Sequence, residues 1–312
     1  MDTSTTTEYD RLIARHHAMR LRRQLLAPEA PFGTPAGAGD YHGATDYHGA
    51  ADQESIRRGL PAVAPLSALI DLLYAEMFAR RPYLRPLFPA SMEFQQAHLE
   101  RIFEYLIEHL HRPEDLERRL RRLGRDHRKL GVRPVHYEAF EEALCAALRE
   151  RAGRHRSEEL EAAWVRMIRF AVAAMVAGAD SALTEPPYWH AVVTGHERRR
   201  ADLAVLRVRT SEPYPYRAGQ YGTVEHPMLP HTWRPYAMGC APRGDNEVEF
   251  HVRRTGPAGV SAALVEHTAV GDRLRLGPPR GAPLPDGGAA VRSELPAAGL
   301  PLAQVRHDRA LR

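Results

Sequence analysis

Residues 125–137 read Arg-Asp-His-Arg-Lys-Leu-Gly-Val-Arg-Pro-Val-His-Tyr. A histidine, His127, stands late in an arginine-rich helix that begins at Pro113, and Pro134 opens the next helix with Tyr137 in it. Outward from this stretch the pattern stays helical. Leu116, Leu120 and Leu123 form the apolar face before it, with Glu114 and Asp115 suited to a helix start. Tyr137, Phe140, Leu144 and Leu148 form the face after it. Leu66, Leu69, Leu73 and Met77 recur at helical spacing, as do Leu99, Ile102, Leu106 and Leu110. Ser157, followed by Glu158 and Glu159, caps a last helix through Leu160, Trp164, Met167, Ala171 and Met175. Residues 55–184 therefore predict an all-α domain.

The character changes at Glu185-Pro186-Pro187. Beyond it, 189–194 and 203–208 read as strands, and in 247–252 Val248, Phe250 and Val252 alternate with Glu247, Glu249 and His251. A short helix is expected over 258–267. Short strands among many prolines and glycines predict a small antiparallel β-barrel over 188–285. The chain is thus expected to be multi-domain, α then β. Residues 1–54 read as a low-complexity leader with one helical candidate, Tyr9–Leu26, and a tandem duplication, Tyr41–Ala44 repeated as Tyr47–Ala50. Residues 286–312 read as an unstructured tail.

Bulk composition narrows the function classes. The net charge is +4, but the arginines alternate with acids along helix faces, so no nucleic-acid surface is expected. Lys129 is the only lysine and lies outside any P-loop pattern. Two cysteines, Cys145 and Cys240, fit neither a zinc nor a disulfide framework. The first residues carry no apolar signal segment, and the longest apolar run, 170–179, is too short to cross a bilayer. A soluble cytoplasmic protein with no membrane partner is expected.

The helical half resembles the globin domain of the flavohaemoglobins, most specifically over 125–137. The resemblance implies a haem b, with His127 as the ligand of its iron and Tyr137 beside it. A neutral imidazole binds iron well once its second nitrogen has a hydrogen-bond partner that fixes the ring. On the other side, 73–78 and Leu87-Phe88-Pro89 resemble the family's second helix and following turn. Tyr74 matches the distal tyrosine that hydrogen-bonds bound dioxygen, and Phe88 matches the phenylalanine that packs on haem. Gln95, four residues before Leu99 and so on the same face, matches the distal glutamine, with Gln96 and His98 as alternatives. The family completes its proximal side with a glutamate late in the last helix. Ala179 stands there, with Asp180 adjacent.

The second half resembles the FAD-binding barrel of the ferredoxin reductases. Residues 216–221, ending Gly-Gln-Tyr, resemble the family's strand entry. Arg234-Pro235-Tyr236-Ala237 resembles its flavin motif, and Gly259-Val260-Ser261 its phosphate motif. The resemblance implies that Arg234 meets the pyrophosphate as a charged fork, that Tyr236 faces the isoalloxazine, and that Gly259, Val260 and Ser261 border phosphate oxygens. Ala237 replaces the Ser or Thr that bonds flavin N5 in the family.

Together the two halves imply a haem/FAD oxidoreductase of nitric oxide dioxygenase ancestry, with dioxygen and nitric oxide as ligands and electrons passing from FAD to haem. The 27 residues after Pro285 are too few for a nicotinamide-binding domain, so a separate NAD(P)H reductase is the expected donor. A non-turnover gas-binding or sensing protein, and an inactive truncated fragment, remain as the other readings.

Overall fold

The computed structural model describes residues 47–283, which form two compact units, 47–187 and 188–283. The Tyr9–Leu26 helix, the first copy of the duplication and the 286–312 tail lie outside the described residues.

The first unit is all helical: α1 (Ala50–Val63), α2 (Leu66–Arg80), a 3-10 segment (Pro82–Leu87), α3 (Glu93–His109), α4 (Pro113–His127), α5 (Pro134–Ala152) and α6 (Glu158–Asp180). Pro113 and Pro134 each occupy a first helical position, and Ser157 caps α6 by accepting from the Leu160 N–H at 3.3 Å. The first helix starts at Ala50, five residues before the position expected from its apolar pattern. The reason is burial of polar groups. Asp52, 2% exposed, is held in a fork by Arg166 at 2.6–3.1 Å. The Gln53 amide donates to the carbonyls of Ile107 and Glu108 at 2.7 and 2.6 Å, satisfying the orphan carbonyls at the end of α3.

Helix α6 runs through the core. It is long and apolar enough by composition to cross a membrane, yet it is mostly buried in this unit, with Trp164 edge-on to Phe103 at 5.3 Å. Each fully buried side chain of this size contributes roughly 1.5–3 kcal/mol. Helix α4 packs Leu116, Leu120 and Gly124 inward and turns its arginines outward. Arg118 pairs with Asp115, Arg121 with Glu117 at 3.1 Å, and Arg125 with Glu185 at 3.1 Å. These are exposed pairs worth ~1 kcal/mol or less, a solvated helix face.

Where α4 meets α6 the two backbones touch. A Cβ on Gly124 would fall 1.8 Å from the Met175 carbonyl oxygen, and one on Gly178 would fall 2.0 Å from that of Arg121. Only glycine fits at either position. The crossing lies one turn before His127, so it sets where that histidine stands.

The second unit is a six-stranded antiparallel sheet: β1 (Trp189–Arg200), β2 (Leu203–Thr210), β3 (Tyr221–Glu225), β4 (Trp233–Ala237), β5 (Glu247–Arg253) and β6 (Arg273–Leu276), with α7 (Val260–Glu266) between the last two strands. The order is β4-β3-β6-β1-β2-β5. The edges β4 and β5 meet only at the Met238–Phe250 bridge, so the barrel curls round without a closing ladder. The core holds Trp189, Leu206, Phe250 and Leu276. Strand β3 begins at Tyr221, at the end of the Gly-Gln-Tyr motif, after Gly219 turns the chain at φ 86°.

Candidate functional site

His127 closes α4. Its Nδ1 lies 2.9 Å from the Leu123 carbonyl oxygen one turn back. A carbonyl only accepts, so Nδ1 carries the proton and Nε2 keeps its lone pair. The ring retains some accessible surface although protein surrounds it closely. That burial pulls its pKa down to about 4, against the Leu123 hydrogen bond, which raises it. His127 is therefore held neutral, with a ligating nitrogen available. Tyr137, in the first turn of α5, does not bond this ring. Burial pushes its phenol up, and its hydroxyl meets no acceptor among the described residues.

Tyr74, on α2, is 8% exposed. Phe78 lies 6.0 Å from its ring, and Phe88 stands edge-on at 5.7 Å. Burial raises this phenol too, and its hydroxyl has no partner among the described residues. Phe88 is set by Arg85, which donates to the carbonyls of Phe88, Pro89 and Ala90 at 3.3, 2.9 and 2.8 Å and stacks over Phe78 at 5.5 Å. This clasp was not visible in the sequence, because an arginine before a turn carries no signature of its own.

In the first turn of α3 the three alternatives separate. The Gln96 amide is bonded outward to Asp71 at 2.8 Å. His98 is exposed and stacks on exposed Phe94 at 6.0 Å. Gln95 places its Oε1 in a buried position with no hydrogen-bond partner. A buried amide oxygen left unpaired costs about 1–3 kcal/mol unless another group completes it. Leu99, one turn on, is half-buried against the core. A neutral histidine with a free nitrogen, one buried and one half-buried phenol without partners, and an orphaned amide oxygen are polar groups that the helical unit leaves uncompleted.

In the second unit Arg234 and Tyr236 sit on the inward side of β4, while Pro235 and Ala237 are exposed. Arg234 donates from Nη1 to the Trp233 carbonyl at 2.9 Å, and its partial burial lowers its pKa. The Tyr236 hydroxyl has no partner among the described residues, and burial raises its pKa. Gly259 opens α7 at φ 96°, a conformation that favours glycine, and Val260 is buried. The Ser261 hydroxyl is engaged inside the turn: it accepts from the Thr255 N–H at 3.2 Å and lies 3.0 Å from the Thr255 hydroxyl. Ser261 thus shapes the turn, and the backbone N–H groups of the first turn of α7 carry the remaining donor capacity.

Residues 71–175 match the globin family. Over 237 residues the chain is 28% identical to a flavohemoprotein of Rhizobium meliloti (strain 1021), covering 69% of this chain and 58% of that protein. The chain is similar to flavohaemoproteins, and its helical unit carries the globin match. A flavohemoglobin of Malassezia yamatoensis, solved with bound FAD and heme, superposes with a TM-score of 0.60 at 17% identity, over 75% of this chain and 64% of that one. That likeness shows the shared fold. A further relative, the ferredoxin–NAD(P)(+) reductase component of a naphthalene 1,2-dioxygenase system from Pseudomonas putida, is 35% identical over 104 residues, 33% of this chain and 31% of that protein. The chain spans less than two thirds of the length of the curated relatives it matches.

Proposed function

We propose that this chain is a haem/FAD oxidoreductase of the flavohaemoglobin type, acting in the cytoplasm on dioxygen and nitric oxide as a nitric oxide dioxygenase. The observation that carries the reading is His127, neutral, with Nδ1–H committed to Leu123 and Nε2 left for iron. When bound, haem would supply a gas-binding iron and FAD a redox centre. The protein does the rest. The Leu123 carbonyl fixes the imidazole plane. Tyr74 and Gln95 bring polar atoms to the distal side, and Arg85 holds Phe88 at its wall. Arg234 and Tyr236 would hold the flavin nucleotide, and a separate NAD(P)H reductase would supply electrons.

Tyr74→Phe is expected to raise the dioxygen dissociation rate about tenfold or more, since a hydrogen bond to a charged or strongly polar partner is worth about 1.5–3 kcal/mol. Stopped-flow ligand displacement measures it. A rate within a factor of two of wild type would mean that Gln95 alone holds the ligand.

One observation favours a second reading, a gas-binding protein without turnover. The His127 ring is bonded to a neutral carbonyl, and Tyr137 has no carboxylate behind it, so the proximal side pushes little electron density toward iron. Nitric oxide consumption by the haem- and FAD-loaded chain in aerated buffer, with an added NAD(P)H reductase and NAD(P)H supplying one electron per turnover, separates the two. Formation of nitrate in repeated turnovers supports the dioxygenase, and stoichiometric uptake that then stops supports the binder.

A further inference from the structure

Gln95 and Gln96 are consecutive on α3, so their side chains leave the helix about 100° apart. Leu99, which shares a face with Gln95, packs against the core, and the Gln95 Oε1 is itself buried. Gln96 is turned elsewhere: its amide donates to Asp71 Oδ1 at 2.8 Å. Asp71 is an exposed residue of α2, three positions before buried Tyr74 and so on the same side of that helix. One hydrogen bond therefore ties the neighbour of Gln95 to the turn of α2 that carries Tyr74.

The start of α3 makes this tie matter. Met92 stands at its N-cap with a helical backbone and gives no side-chain cap bond, so the first turn depends on contacts from outside the helix. A bond to a carboxylate is stronger and more directional than one between neutral groups. Nothing within α3 tells the two glutamines apart, because they carry the same amide on the same stem. Asp71 does, since only one of two residues set 100° apart can meet it.

We propose that Asp71 is a positioning residue of the distal site: by drawing the Gln96 amide outward it leaves Gln95 as the glutamine that faces a bound gas, and it fixes the separation of Gln95 from Tyr74. This rests on the haem reading of the helical unit. Asp71 touches no ligand and acts through the first turn of α3. Without it that turn is free to rotate, either amide can take the inner place, and the ligand meets a mixture of surroundings in place of one.

The test uses the haem-loaded full chain and its ferrous carbon monoxide complex, whose C–O stretching band reports the polar groups around the ligand. Wild type is expected to give one dominant band. Asp71→Ala should add a second band and raise the dioxygen dissociation rate about threefold, the effect of losing part of one hydrogen bond. Asp71→Asn keeps an acceptor oxygen for Gln96 and should return both band and rate to their wild-type values. A single band with an unchanged rate in Asp71→Ala, even beside a lowered urea midpoint, would make the bond a prop of the fold and overturn the proposal. So would an equal change in Asp71→Asn and Asp71→Ala. Gln95→Leu tests the level beneath: a band and rate like those of wild type would overturn the distal assignment of Gln95. Failure of the wild-type chain to bind haem would overturn the haem reading itself.

Discussion

His127→Ala yields a protein without stoichiometric haem. His127 combines a closely surrounded, neutral ring, a tautomer fixed by the Leu123 carbonyl at 2.9 Å, and a free Nε2. Gln95 and the two phenols add polar contacts on the distal side or beside the ring, but an amide and protonated phenols are poor iron ligands at neutral pH. The apoprotein should still fold, since the core of Phe103, Leu144 and Trp164 is untouched. Added imidazole should then restore a Soret band to the variant by filling the emptied position. Haem content and Soret maximum after gel filtration are the measurement. Normal content with an unchanged maximum would mean that another residue holds the iron.

Gly178→Ala should have an effect of similar size from a different cause. A methyl group there would meet the Arg121 carbonyl oxygen at 2.0 Å, and Gly124→Ala would meet that of Met175 at 1.8 Å. Both obstacles are helix backbone, which no rotamer change relieves. The helices must separate, opening the core around Leu116, Leu120 and Met175. Overpacking of side chains costs about 1–3 kcal/mol, and backbone against backbone should reach the top of that range or exceed it. The displacement also tilts the last turn of α4, so haem retention should fall with stability. A urea midpoint for Gly178→Ala within error of wild type would show that α4 and α6 do not touch here.

These two sites illustrate how unevenly the sequence disclosed the structure. Helix starts at Pro113, Pro134 and Ser157 were legible because their signals are local: a proline at the first position and a hydroxyl cap. Alternation over 247–252 disclosed β5 for the same reason. The beginning of α1 was not legible, because Asp52 is buried by an arginine 114 residues away. His127 was read from its thirteen-residue context by resemblance, but its partner was not: the ring nitrogen turned out to bond a carbonyl of its own helix, one turn back. Gln95 and Gln96 look alike in one dimension, and only Asp71 on another helix draws Gln96 outward. Gly124 and Gly178 acquire meaning only as a pair across a crossing. Local rules are written in adjacent residues, and packing is not.

The proposed function requires electrons to pass from flavin to haem within this chain. The most direct measurement is anaerobic photoreduction of the FAD in the haem- and FAD-loaded protein, with the Soret band followed in time. The ferric band is expected to convert to the ferrous one at a first-order rate independent of protein concentration. Flavin that bleaches and stays reduced beside ferric haem, or a rate that rises in proportion to protein concentration, would contradict it.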